Sequence, residues 1–131
     1  SIFTANDLAK ALKHQELKCY ALKIGKFGGI QPALQFVRMA NARGMSVWMG
    51  GMYDTGISRR VHSAFQMLPG VVDAGDIGAT SRYFDVDVTD PPYTVERGTV
   101  TLERRGHEHG LGCALDRSAL SRVLIDQQTY E

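Results

Sequence analysis

Apolar and polar positions in the first part of the chain switch between two periods, and the switching predicts an alternation of helices and strands. Thr4 followed by Asp7, with Leu8, Ala11 and Leu12 at helical spacing, predicts a capped helix over about residues 5–15. A strand follows at about 18–24. Ile30, Leu34, Val37 and Ala40 form the apolar stripe of a second helix over about 31–43, with Pro32 in its first turn and Gly44 as its stop. Met45 to Met49 is a short apolar run closed by Gly50 and Gly51, which predicts a second strand buried on both faces. Ile57, Val61, Ala64, Phe65 and Leu68 mark one side of a third helix that ends at Pro69-Gly70. Val71-Val72 then opens a third short strand leading into Asp73-Ala74-Gly75-Asp76-Ile77-Gly78.

This order predicts an α/β fold of parallel strands joined by right-handed crossovers, part of a barrel or of a doubly wound sheet. Either architecture gathers ligands at the carboxyl ends of its strands, where Lys23, Gly50-Gly51-Met52 and Gly75-Asp76 would meet. After Ser81 the pattern changes. Tyr93 to Val95 and Thr99 to Leu102 flank Arg97-Gly98 as in a tight hairpin, and a closing helix is expected from near Asp116 or Ser118, with Leu120, Val123 and Leu124 apolar.

Lys23 breaks the expected pattern of a strand. Tyr20, Leu22 and Ile24 share one face, so Lys23 stands on the other with the small residues Cys19 and Ala21. An ammonium in such a place either snorkels to water or serves as a base whose pKa is lowered by its surroundings.

Composition narrows the choice of function. Fifteen basic and fourteen acidic residues leave a formal charge of +1, without a basic run of the kind that tracks nucleic acid. No apolar run approaches the length of a membrane span. The two cysteines, Cys19 and Cys113, are far apart and fit reduced thiols in the cytoplasm better than a disulfide framework.

Other motifs fail on spacing. Gly25-Lys26-Phe27-Gly28-Gly29 matches neither the dinucleotide fingerprint nor the P-loop and is expected to be a tight strand-to-helix turn. Asp85 to Asp90 imitates a calcium loop, but Asp90 stands where glycine is needed and Pro91-Pro92 would break it, so solvated acids on an edge strand are expected. His107-Glu108-His109 lacks the spacing of a zinc helix, and His14 and His62 are expected at the surface or in packing. Asp54, Asp73 and Asp76 are open to substrate contact, pairing with Lys23 or helix capping.

Three stretches carry a resemblance. Leu22-Lys23-Ile24-Gly25-Lys26-Phe27-Gly28-Gly29-Ile30, Val47 through Arg59 (Val-Trp-Met-Gly-Gly-Met-Tyr-Asp-Thr-Gly-Ile-Ser-Arg) and Gly75 through Phe84 (Gly-Asp-Ile-Gly-Ala-Thr-Ser-Arg-Tyr-Phe) occur in order. Together they resemble the enolase superfamily in its muconate lactonizing enzyme subgroup, most closely the o-succinylbenzoate synthases and N-acylamino acid racemases.

The resemblance implies the carboxyl-terminal part of a modified (β/α)8 barrel. Residues 1–80 would supply its last three strand and helix units, and residues 81–131 the segment returning toward a capping domain. By matching position, Lys23 would be the second catalytic lysine at the end of the sixth strand. Gly51 and Met52 would touch substrate after the seventh strand, and Asp76 would do so at the eighth.

The implied chemistry is abstraction of a proton α to a carboxylate, with magnesium as cofactor and a small carboxylate as substrate. It points to o-succinylbenzoate synthesis, a dehydration in menaquinone biosynthesis, or to N-acylamino acid racemisation, in a cytoplasmic enzyme expected to be a homo-oligomer. Alternatives are a muconate cycloisomerase or a dipeptide epimerase; the epimerases' Asp-x-Asp pair is replaced here by Asp76-Ile77-Gly78. The family's Lys-x-Lys and its three acidic metal ligands have no counterpart in the chain. The expectation is therefore a piece of a longer enzyme, inactive alone, or a truncated non-catalytic barrel domain that acts by association.

Overall fold

The computed structural model describes all residues except 1–3, 15, 73, 103–109 and 129–131, so Asp73 and His107-Glu108-His109 lie outside the described residues. The chain forms two compact units: residues 1–52 with 62–77, and residues 53–61 with 78–131.

The first unit begins with α1 (Ala5–Ala11), held at its start by the predicted capping box. Thr4 Oγ1 accepts from the Asp7 amide and Asp7 Oδ2 from the Thr4 amide, each at 3.1 Å. The helix is shorter than expected, and Leu8 and Leu12 are buried. Strand β1 (Cys19–Leu22) and strand β2 (Ser46–Met49) pair in parallel, with Cys19 opposite Ser46 and Leu22 opposite Met49. Between them lie a 3-10 turn, Ile24–Phe27, and α2 (Ile30–Asn41), the parallel crossover that the alternation predicts. The glycine run at 25–29 is thus a strand-to-helix turn.

Two readings of burial in this unit need correction. The buried stripe of α2 is Ala33, Phe36, Val37 and Ala40; Ile30, which opens the helix, is 53% exposed, and Leu34 is half-buried. Strand β2 is buried on one face only: Val47 and Met49 are covered, whereas Ser46 and Trp48 are half-buried. The covered face packs on α2, where Tyr20 and Phe27 meet Phe36 edge to face. Each such buried side chain contributes about 1.5–3 kcal/mol.

The expected third strand is reduced to two isolated parallel bridges, Val47 with Val71 and Gly50 with Asp76. Its backbone meets β2 at two points, and Asp73 between them is outside the described residues.

Helix α3 (Gly56–Gln66) has residues in both units. Its buried side chains are Arg59, Arg60, His62, Ser63 and Phe65, whereas Ile57 is 40% exposed. Of the apolar stripe only Phe65 is buried.

In the second unit β3 (Thr89–Asp90) pairs antiparallel with β4 (Ala114–Leu115), and α4 (Arg117–Val123) is capped by Asp116, whose carboxylate accepts from the Ala119 amide. That helix begins where the sequence places it. The turn at Arg97-Gly98 forms as predicted: Glu96 and Thr99 exchange two backbone hydrogen bonds, and both central residues have positive φ, 49° and 80°. Glycine makes that conformation easy at the second position. No helix among the described residues is long and apolar enough to cross a membrane.

Candidate active site

In the first unit the ends of three segments meet. Lys23, the residue after β1, is extended and half-buried, and its Nζ donates to the Gly51 carbonyl at 2.7 Å. The Gly50 amide donates to the Leu22 carbonyl, continuing the ladder past β2, and the Asp76 amide donates to the Met49 carbonyl at 2.9 Å. Lys23, Gly51 and Asp76 are therefore brought together, as the strand-end argument predicts. Met52 follows Gly51 and is 42% exposed. The Asp76 side chain is exposed.

Gly51 is required by the closeness of two backbones. A Cβ at that position would meet the Asp76 carbonyl oxygen, a collision no rotamer relieves.

The face that carries Lys23 is not the dry one. Cys19 and Ala21 are exposed, while Tyr20, Leu22 and Ile24 on the opposite face are buried. An exposed strand face of small side chains with a lysine at its end leaves room for a ligand.

A second set of polar groups organises the loops of the other unit. Arg59, 1% exposed, donates from Nε to the Asp54 carbonyl at 2.8 Å and from Nη1 to the Gly78 carbonyl, with Tyr83 beneath its guanidinium at 5.4 Å. Asp87 accepts from the Gly56 amide at 2.9 Å and from the Tyr93 amide at 2.8 Å. Burial, the largest single influence, raises its pKa, the amides of Tyr93 and Gly56 lower it, and the sum of all its neighbours holds the carboxyl below its ordinary value of 3.8. The hydroxyls of Thr80 and Thr89 lower it further by proximity, though neither reaches it with full hydrogen-bond geometry.

Asp87 is therefore not the solvated edge acid that the alternation suggested. It caps the start of α3 from far along the chain. The sequence did not show what Arg59 and Asp87 bind, because their partners are backbone groups of loops and leave no periodic trace. His62 is buried, consistent with packing, and His14 is exposed.

Among the described residues no three His, Cys, Asp or Glu side chains converge to hold a metal ion. Magnesium demands a near-octahedral set of oxygen ligands, and Asp76 supplies a single carboxylate at these strand ends. The described residues do not fit a magnesium site by themselves.

Residues 1–119 match the family described as enolase C-terminal domain-like. The chain belongs to the enolase superfamily. It is 32% identical to the o-succinylbenzoate synthase of Enterococcus faecalis over 127 residues, covering 97% of this chain and 33% of that protein. It is 34% identical to an N-succinylamino acid racemase of Amycolatopsis over 91 residues, covering 70% of this chain and 25% of that protein. A crystal structure of an enolase-superfamily member from Enterococcus faecalis superposes with a TM-score of 0.80 at 33% identity, over 92% of this chain and 32% of the other.

The chain thus spans about a third of the length of the curated relatives it matches. It corresponds to the carboxyl-terminal part of the superfamily's (β/α)8 barrel, and its described strands do not close one.

Proposed function

We propose that this chain carries a proton-handling lysine of an enolase-superfamily enzyme that removes a proton α to a carboxylate, with o-succinylbenzoate synthesis as its reaction and N-acylamino acid racemisation as a second activity. The observation that carries the reading is Lys23, whose Nζ stands at a strand end, 2.7 Å from the Gly51 carbonyl, where three segment ends converge. The named activities of the relatives support the substrate class.

In this reading the substrate's Cα–H bond breaks, its electron pair passes into the carboxylate as an enediolate, and the proton goes to a lysine amine. For synthesis, the enediolate's electron pair then forms a C=C bond as the hydroxyl on the neighbouring carbon leaves, taking the proton back from the lysine that removed it to become water, while Lys23 as ammonium offsets the enediolate charge. For racemisation, a proton returns to the opposite face of Cα, and Lys23 takes its turn as acid or base. Gly51, Met52 and Asp76 contact the substrate. A divalent cation such as magnesium, which would add further charge stabilisation, needs ligands from outside this chain. The free thiols of Cys19 and Cys113 suit the reducing cytoplasm.

The test is Lys23→Ala in the protein as its gene encodes it. Formation of o-succinylbenzoate, and deuterium uptake at Cα of an N-succinyl amino acid in heavy water, should each fall by about 10²- to 10⁴-fold. Rates equal to those of the unaltered enzyme in both assays would remove Lys23 from the chemistry.

A further inference from the structure

Lys23 reaches the Gly51 carbonyl by running its methylene stem past Gly50. A Cβ at Gly50 would fall 3.3 Å from Lys23 Cε, 3.4 Å from Lys23 Cγ and 3.2 Å from Trp48 Cζ3. The first and last are closer than ordinary carbon contacts and the second lies at their limit, so a side chain there would press on the lysine stem and the indole at once. Trp48 and Gly50 alternate along β2 and its extension and therefore share a face, and Ala21, opposite Trp48, leaves that face low.

We propose that Gly50 is a positioning residue: its missing side chain and the Trp48 ring form the slot that fixes the Lys23 stem and aims Nζ at the Gly51 carbonyl. This rests on the role proposed above for Lys23. The slot is distinct from the collision at Gly51, where backbone meets backbone and the fold itself is at stake. At Gly50 the groups in the way are the lysine's own stem and one edge of a ring, so a methyl group displaces the ammonium by a few tenths of an ångström without closing off the strand. Displacements of this order in a catalytic group cost rate rather than substrate affinity.

The experiment reads Lys23 directly, without substrate. In the protein as its gene encodes it, limited acetylation with trace acetic anhydride is followed by peptide mass spectrometry, with the exposed Lys13 as internal reference. Gly50→Ala should lengthen and weaken the bond from Nζ to the Gly51 carbonyl and change the Lys23-to-Lys13 labelling ratio about threefold. In parallel it should lower kcat for deuterium exchange about ten- to a hundredfold with KM nearly unchanged. Trp48→Leu added to Gly50→Ala gives the stem room on the other wall and should recover part of that loss.

An unchanged labelling ratio in a folded Gly50→Ala protein would overturn the proposal. Should Gly50→Ala not fold, Trp48→Leu alone opens the same slot, and an unchanged Lys23 ratio there overturns it equally. A changed ratio in a protein with no proton-exchange activity would leave the slot standing and instead remove the functional reading on which its catalytic meaning rests.

Discussion

At the scale of single residues, the side chains that hold the loops in register bond backbone rather than other side chains. Arg59 binds the carbonyls of Asp54 and Gly78, and Asp87 binds the amides of Gly56 and Tyr93. For Asp87 this sets a pH dependence whose sign follows from its depressed pKa. The carboxylate is favoured in the folded state, so its contribution is complete above pH 3.8 and is lost as the pH falls through the lower folded value. Asp87→Asn removes the charge from the start of α3 and leaves one oxygen to accept where the carboxylate offered two. It should cost about 1 kcal/mol at pH 7, a figure held low by the group's partial exposure to solvent. The gap to the unaltered protein should stay level between about pH 5 and 8 and close below pH 3.8, as followed by urea unfolding at each pH. A gap undiminished at the acid end would mean that hydrogen-bond geometry, not charge, is what Asp87 provides. Lys23 was legible because a cation in a strand is out of place. Asp87 was not, because an acid between two valines reads the same whether it faces water or a buried amide.

At the scale of elements, what could be read in advance was what is local. The Thr4–Asp7 capping box and the Arg97-Gly98 turn each close within a few residues, and both form. The buried side of α3 could not be read, since the carbonyls that Arg59 and Arg60 satisfy belong to Asp54, Gly78 and Pro91, and their donation draws the polar side inward. Strand β1 carries a further consequence. Its Lys18 and Leu22 carbonyls accept from Ser46 and Gly50, so in a parallel ladder Cys19 and Ala21 turn their backbone groups to the opposite edge, which pairs with no strand among the described residues. An open, weakly charged edge recruits other strands. The 131-residue chain expressed alone should therefore self-associate as its concentration rises. Cys19→Lys, which adds a charge on this exposed edge, should shift sedimentation equilibrium back toward the monomer. Equal association of the two would place the contact elsewhere.

At the scale of the whole molecule, the family could be recognised from three motifs in order, because each marks the end of a strand where backbone and chemistry are constrained together. Gly51 is held by a neighbouring backbone, and Lys23 and Asp76 are brought up beside it. The metal chemistry of the superfamily was never legible in this chain, and the described residues explain why: they present no convergent set of acidic ligands. The relatives are about three times as long, which leaves ample sequence for such ligands in a protein of their length. Magnesium therefore separates the contribution of this chain from that of a protein of the relatives' length. Titrating magnesium into the 131-residue chain should give no binding heat, and adding a chelator should leave its thermal midpoint unchanged, since an ion that does not bind the native state cannot stabilise it. The protein as its gene encodes it should take up magnesium and lose its midpoint shift and its proton-exchange activity together when the ion is removed. Tight magnesium uptake by the 131-residue chain alone would contradict the ligand geometry described above. Failure of the full gene product to bind magnesium would move the chain toward a non-catalytic role.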